Sequence, residues 1–225
     1  MSCSMHSNAY VGRTAQPIPA AVDVAGCGED GWMHHGSTST RLRFRPLDPS
    51  DLDAVHAIYA DPETWRHLPQ GRHRSPEMTA GMIARSEASR REHGLGTWAV
   101  LAPAEPDGEP VLVGTAGVTM LGFPAWNLGY RFAPGAWGRG YATEAAAAAL
   151  AAARTAHPEV PVTARVLAGN PASVRVLERI GLELRWRGRS AETPEGDGRT
   201  THLERLVFTD RPVDADLLER LIALG

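Results

Sequence analysis

The run Gly129-Tyr130-Arg131-Phe132-Ala133-Pro134-Gly135-Ala136-Trp137-Gly138-Arg139-Gly140-Tyr141-Ala142-Thr143-Glu144, continued by eight alanines and one leucine over positions 145–153, reads as a strand, a glycine turn and a helix. Gly138 and Gly140 let the backbone approach a ligand with no Cβ in the way. A helix starting near Tyr141 offers unpaired N–H groups and the positive end of its dipole. Such a turn holds an anion, and a phosphate fits it. Arg139 adds a fixed positive charge between the glycines, and an alanine-built helix keeps its geometry while lying close on a sheet.

The phosphate compound is narrowed by exclusion. All 23 basic residues are arginine and none is lysine. This rules out the P-loop, which needs a lysine after its last glycine, and also pyridoxal-phosphate Schiff bases and any other lysine nucleophile. A dinucleotide fingerprint would need a third glycine where Thr143 stands, and no acidic residue marks a following strand over 160–165.

The segment resembles the acyl-CoA binding loop of the GNAT N-acetyltransferases, in the branch that includes the ribosomal-protein N-terminal acetyltransferases. A second motif lies downstream: Asn170-Pro171-Ala172-Ser173-Val174-Arg175-Val176-Leu177-Glu178-Arg179-Ile180-Gly181-Leu182 is similar to that family's N-x-x-S-x-x-V-L-E-[KR]-x-G-[FL] segment. The likeness runs from about Arg41 to about Phe208. It implies an α+β fold with a mixed, mostly antiparallel central sheet, splayed where the cosubstrate enters and flanked by helices. It also implies acetyl-CoA as cosubstrate and an amine as acceptor, either a protein N-terminus or a small molecule.

Carried over position by position, the resemblance assigns acetyl-CoA contacts to Phe132, Ala133, Trp137, Gly138, Arg139, Gly140, Tyr141, Ala142 and Thr143 on the loop, and to Asn170 and Ser173 on the second motif. The Phe132 backbone N–H becomes the oxyanion donor of a tetrahedral intermediate, and Ser173 the group that protonates the departing thiolate. Trp65, His67, His73 and Asn127 are candidates on the acceptor side. No metal is expected. Read without the resemblance, Asn170 before Pro171 is an ordinary N-cap, Ser173 a surface serine, and Glu144 a first-turn acid that stabilises its helix or an adjacent loop.

Two positions depart from the family pattern. Gly135 stands where a Gln or Arg often opens the loop signature, and Asn127 stands where relatives often carry a glutamate able to deprotonate the amine. Lack of that base favours α-amines, with a pKa of about 8, over lysine-type amines of about 10.4. It also leaves open a non-catalytic acyl-CoA-binding module, and acetylation of antibiotics or polyamines differs from the leading reading only in its acceptor.

With 225 residues, 43% of them hydrophobic and 22% charged, the composition is that of one globular domain. A net charge of −3 speaks against nucleic acid as partner. No apolar run approaches the roughly 20 residues of a membrane span. Cys3 and Cys27 support no disulfide framework. A cytoplasmic enzyme, monomer or homodimer, is expected. Residues 1–40 lack periodicity and read as a disordered extension before a domain over 41–225. Pro17, Pro19 and Asp23 spoil a lipoprotein-like box at Val24-Ala25-Gly26-Cys27, His34 and His35 read as solvated, and Met33 is an alternative start.

Within the domain, Leu42, Phe44 and Leu47 suggest a strand ending at Pro46 to Pro49. Ser50 or Asp48 then caps a helix carrying Leu52, Val55, His56, Ile58 and Tyr59. A loop from Asp61 to Arg74 leads to a helix from Ser75-Pro76-Glu77 to Gly94. Strands follow at Thr97 to Ala102, Val111 to Leu121 and Asn127 to Ala133, as an antiparallel meander, and Val162 to Leu167 runs parallel to the last of them. A short helix from Pro171 to Ile180 precedes a hairpin of Leu182 to Arg189 and Leu203 to Thr209 across the polar loop Glu192 to Thr200. The stripe Val213, Leu217, Leu218, Leu221 and Ile222 marks a final helix over 213–224 that packs on its own domain.

Overall fold

The computed structural model describes residues 41–66, 68, 71–104, 108–189 and 203–224. The extension over 1–40, His67 and the polar loop over 192–200 lie outside these residues. Seven strands form one sheet: β1 Arg43–Pro46, β2 Thr97–Ala104, β3 Gly108–Met120, β4 Trp126–Phe132, β5 Val162–Leu167, β6 Glu183–Arg189 and β7 Glu204–Thr209. Their order is β1-β2-β3-β4-β5-β7-β6. Only β4 and β5 pair in parallel, so the mixed, mostly antiparallel sheet expected from the resemblance is what the chain forms.

Six helices flank it among the described residues: α1 Leu52–Ala60, α2 Pro62–Trp65, α3 Pro76–His93, α4 Tyr141–Ala156, α5 Pro171–Arg179 and α6 Ala215–Ala223. Strand alternation decides what each sheet face meets. Trp126, Leu128 and Phe132 of β4 bury into the main core, where Ala145, Ala146, Ala149 and Ala153 of α4 let the helix lie close to the sheet. Residues 127, 129 and 131 face the other way, toward α1 and α3. A smaller core of Leu47, Val55, Ile83, Ala99 and Leu101 closes that second side.

Several boundaries differ from the sequence expectation. The spacing of Leu42, Phe44 and Leu47 breaks strict alternation, and Leu47 indeed leaves the core that holds Leu42 and Phe44 for the opposite one. Asp48 rather than Ser50 is the cap. Its carboxylate accepts the Ser50 N–H at 2.8 Å while Asp51 accepts the Asp48 N–H at 2.9 Å, a reciprocal box around a 3-10 turn over Pro49–Asp51. The loop from Asp61 to Arg74 contains α2, capped by Asp61 with Pro62 at its first position. β2 runs on through Pro103 because pairing with β1 ends at Arg43↔Leu101, which leaves no ladder bond there for a proline to spoil.

Glu144 has the structural role expected of a first-turn acid. It accepts the Arg41 N–H at 2.8 Å and the Arg41 guanidinium at 3.0 Å, while that guanidinium lies 5.0 Å over the Tyr141 ring. This ties the start of the domain to the start of α4. At the other end, α6 packs on its own domain. Asp214 caps it, Leu221 is fully buried, and Arg220 lies 4.3 Å over the Phe123 ring.

Candidate functional site

β4 and β5 pair only at Trp126↔Val162 and Asn127↔Thr163, although β4 continues to Phe132 and β5 to Leu167. Beyond Asn127 the two strands diverge. The Ala133 N–H donates to Val113 O at 2.9 Å, across the β3 edge. Alternation therefore turns the Phe132 N–H and C=O toward the opening on the β5 side. The Trp137 indole N–H occupies that carbonyl at 2.9 Å, and the Phe132 N–H remains as a donor directed into the opening. A cavity of about 1100 Å³ passes through it, with Tyr130, Phe132, Trp137, Val166 and Ser173 among its lining residues.

On the α4 side, Gly138 and Gly140 adopt φ of +75° and +80°, a conformation that favours glycine. Gly140 is the N-cap of α4, so the first turn of that helix has no capping side chain. A Cβ on Gly138 would meet no protein atom within 4 Å, so the space over the turn is open to a ligand. Arg139 is exposed between them. Ala142 reaches the cavity, while Tyr141 is buried beneath. Backbone donors, a helix N-terminus and one exposed guanidinium together suit a pyrophosphate.

On α5, the Asn170 side chain caps the helix by accepting the Ser173 N–H at 3.1 Å, and its amide N–H₂ donates to Ser173 Oγ at 3.0 Å. Because Oγ accepts there, the Ser173 proton is available for an acceptor in the cavity. Sequence reading passed over Tyr130, whose hydroxyl donates to the Ser173 carbonyl at 3.2 Å. Burial pushes its pKa up to about 12, so it stays a protonated donor. The motif around Ser173 contains no tyrosine, but the alternation of β4 supplies one.

The opposite sheet face is polar. Thr115, Thr119, Asn127, Arg131, Arg165 and Arg205 line the cavity there. Asn127 sits at the last β4–β5 pair, where the strands part, and its Oδ1 faces Arg165 at 3.5 Å. The Tyr59 hydroxyl meets Thr115 Oγ1 at 2.8 Å. Arg131 donates to Gly71 O at 2.6 Å and lies 4.2 Å over the Tyr59 ring, and burial lowers its pKa.

The acceptor-side candidates are placed unequally. Asn127 lines the cavity. His73 lies one layer behind: its ring is 4.5 Å from Tyr59, and its Nδ1 is 2.8 Å from Thr79 Oγ1, which also meets His56 Nδ1 at 3.0 Å. Burial first, then Arg131, His56 and Arg85, lower the His73 pKa to about 4, too low for a base near neutral pH. Trp65 turns back toward the end of α1, with its indole N–H on Ala60 O at 3.0 Å and Arg72 over its ring at 4.9 Å. His67 lies outside the described residues. The missed arginines had a readable signal: 131, 165 and 205 fall on the face opposite Phe132, Val166 and Leu206 by period two alone.

Among the described residues no three His, Cys, Asp or Glu side chains group as a metal site, and no helix is long and apolar enough to cross a membrane. The sequence pattern of the acetyltransferase (GNAT) domain matches residues 41–183. An uncharacterized protein of Bacillus subtilis, YkkB, is 26% identical over 146 residues, 63% of this chain and 81% of its own. The crystal structure of an acetyltransferase from Agrobacterium tumefaciens superposes with a TM-score of 0.61 at 25% identity, covering 89% of this chain and 100% of that one. RimL, a ribosomal L7/L12 alpha-N-protein acetyltransferase solved in complex with coenzyme A, gives a TM-score of 0.62 at 20% identity over 80% of this chain and 98% of its own.

Proposed function

The chain belongs to the GNAT acetyltransferase family and is an acetyl-CoA-dependent N-acetyltransferase; from that premise we propose that it acetylates a primary amine by direct attack on the thioester at the β4–β5 opening. The acceptor is a protein N-terminal α-amine or a small-molecule amine, and the reaction runs in the cytoplasm without a metal. The observation that carries this reading is the Phe132 N–H directed into the gap beyond Asn127.

In the proposed division of labour, Gly138, Arg139, Gly140 and the backbone of Tyr141, Ala142 and Thr143 hold the pyrophosphate, with Trp137 and Ala133 alongside. Asn170 steadies the pantetheine arm between the strands. The Phe132 N–H donates to the oxygen on which negative charge develops as the amine attacks. As the C–S bond breaks, Ser173 gives its proton to the leaving sulfur and is reprotonated, through solvent in the cavity, by the proton that the acylated nitrogen sheds, while Tyr130 holds the first turn of α5 in place behind it. Asn127 borders the acceptor nitrogen. With no carboxylate there, the amine arrives neutral, which suits α-amines of pKa about 8.

The test is release of free CoA with and without an amine panel of peptides, amino acids, polyamines and aminoglycosides. Amine-dependent release is expected. Acetyl-CoA binding without turnover on any of them would make the chain an acyl-CoA-binding module instead.

A further inference from the structure

Arg131 is one residue from Phe132 but on the opposite, acceptor-side face of β4, and it lines the same cavity. Its partners among the described residues are a backbone carbonyl, Gly71 O at 2.6 Å, and the face of the Tyr59 ring at 4.2 Å. Both are neutral. Arginine keeps its charge even where burial disfavours it, so the half-buried guanidinium sits in the cavity without a described counter-ion. A buried charge without an opposite charge is costly, and the guanidinium fork matches a planar carboxylate through two parallel bonds.

The surrounding charges agree in sign. The described residues lining the cavity include Arg66, Arg85, Arg131, Arg165 and Arg205 and two glutamates; Glu63 is paired with Arg66 at 3.1 Å, and Arg165 and Arg205 have partners of their own. Such a wall attracts anions and repels polycations.

Resting on acetyl transfer at the β4–β5 opening, we propose that Arg131 binds a carboxylate of the acceptor. The preferred substrates are then amines carrying an acid group a few ångströms from the nucleophilic nitrogen, and polyamines and aminoglycosides are poor acceptors. Free amino acids and acidic-second-residue peptide N-termini both present this chemistry. The two sources are distinguished by assaying alanine against alaninamide and alanyl-aspartate against alanyl-asparagine, with spermidine as the cationic arm.

The quantity to read is the acid-to-amide ratio of kcat/KM, each value taken per neutral amine at the assay pH because a neighbouring carboxylate raises the amine pKa, in the wild type and in Arg131→Gln and Arg131→Lys. The wild type should favour the acid member of at least one pair by about tenfold to a hundredfold. R131Q should bring that ratio near one while acetyl-CoA affinity by calorimetry stays unchanged, and R131K should keep part of it. The ratio is needed because Arg131 also holds the Gly71 backbone, so a uniform loss of activity would report only structure. Equal use of acid and amide by the wild type, or an unchanged ratio in R131Q, overturns the proposal. If R131Q does not fold, the wild-type and R131K ratios decide. If no amine is acetylated, the transfer reading fails by itself. Calorimetry with N-acetylated alanyl-aspartate and alanyl-asparagine then decides for Arg131: binding of the acid form alone supports it, and equal or absent binding overturns it.

Discussion

Asn170 and Ser173 hold each other in both directions: Asn170 Oδ1 accepts the Ser173 N–H at 3.1 Å, and Asn170 Nδ2 donates to Ser173 Oγ at 3.0 Å. The cap that starts α5 therefore also aims the serine proton. Ser173→Ala should lower kcat by about tenfold, the low end for loss of a general acid because a thiolate leaves readily, with little change in the KM for acetyl-CoA. Asn170→Ala removes an N-cap worth about 1 kcal/mol, so it should lower Tm by about 2–4 °C and weaken the cosubstrate. Full kcat in Ser173→Ala together with a lost kcat in Tyr130→Phe would move the proton donor to the tyrosine.

The glycine turn calls for a test that separates strain from ligand contact, since any side chain at φ +75° or +80° is strained. Gly138→Ala should weaken acetyl-CoA binding by more than about tenfold in calorimetry, the cost of lost phosphate bonds. Gly181, at φ +86° past the end of α5, provides the strain control. Gly181→Ala should lower Tm and spare affinity. Gly135, with open space around it and no positive φ, should tolerate alanine on both counts. Equal affinity loss at 138 and 181 would mean that the turn carries no phosphate.

The parts of this fold that were legible in the sequence are those with local causes. The glycine turn, the alanine helix and the Asn170-Pro171 cap each need only their own neighbours, and the strands around them show period two. What was not legible depends on register. That β5 leaves β4 after Thr163 was expected from the resemblance alone, since nothing in the residues from Asn127 to Phe132 themselves announces it. Tyr130 meets Ser173, 43 residues away in sequence, only because the sheet puts α5 behind β4. Trp65, a reasonable substrate-side candidate by chemistry, satisfies its indole on the Ala60 carbonyl at the end of α1. Arg131 was hidden in plain view, read as part of a strand before its face was considered.

His73 should make folding sensitive to acid. Its folded pKa of about 4 lies below the ordinary 6.5, so between these values the unfolded chain binds more protons. The stabilisation is complete above pH about 6.5 and is lost as pH falls through about 4. With solvent reaching the half-buried ring, the effect is about 1.5 kcal/mol. Denaturant melts of wild type and His73→Phe at pH 7 and pH 4.5 read it. The wild type should lose more, and parallel losses would assign the sensitivity to other groups.

A chain starting at Arg41 should keep the whole active domain. The new terminal ammonium can still donate to Glu144, as the Arg41 N–H does at 2.8 Å. Its Tm, acetyl-CoA affinity and amine-dependent CoA release should match those of the full chain. A clear drop in any of them would show that residues 1–40 contribute to the domain or its acceptor side.

The thioester is proposed to sit beside Phe132, and the chain offers a direct probe because it contains only four phenylalanines. In a chain labelled with ¹⁵N-phenylalanine, acetyl-CoA should move the Phe132 amide proton downfield as it gains a hydrogen bond, with Phe44 and Phe208, buried in the core, nearly still. Desulfo-CoA, which lacks the thioester, should bind without that shift. If acetyl-CoA binds while the Phe132 amide stays where it was, the strand opening does not hold the thioester and the proposed chemistry is contradicted.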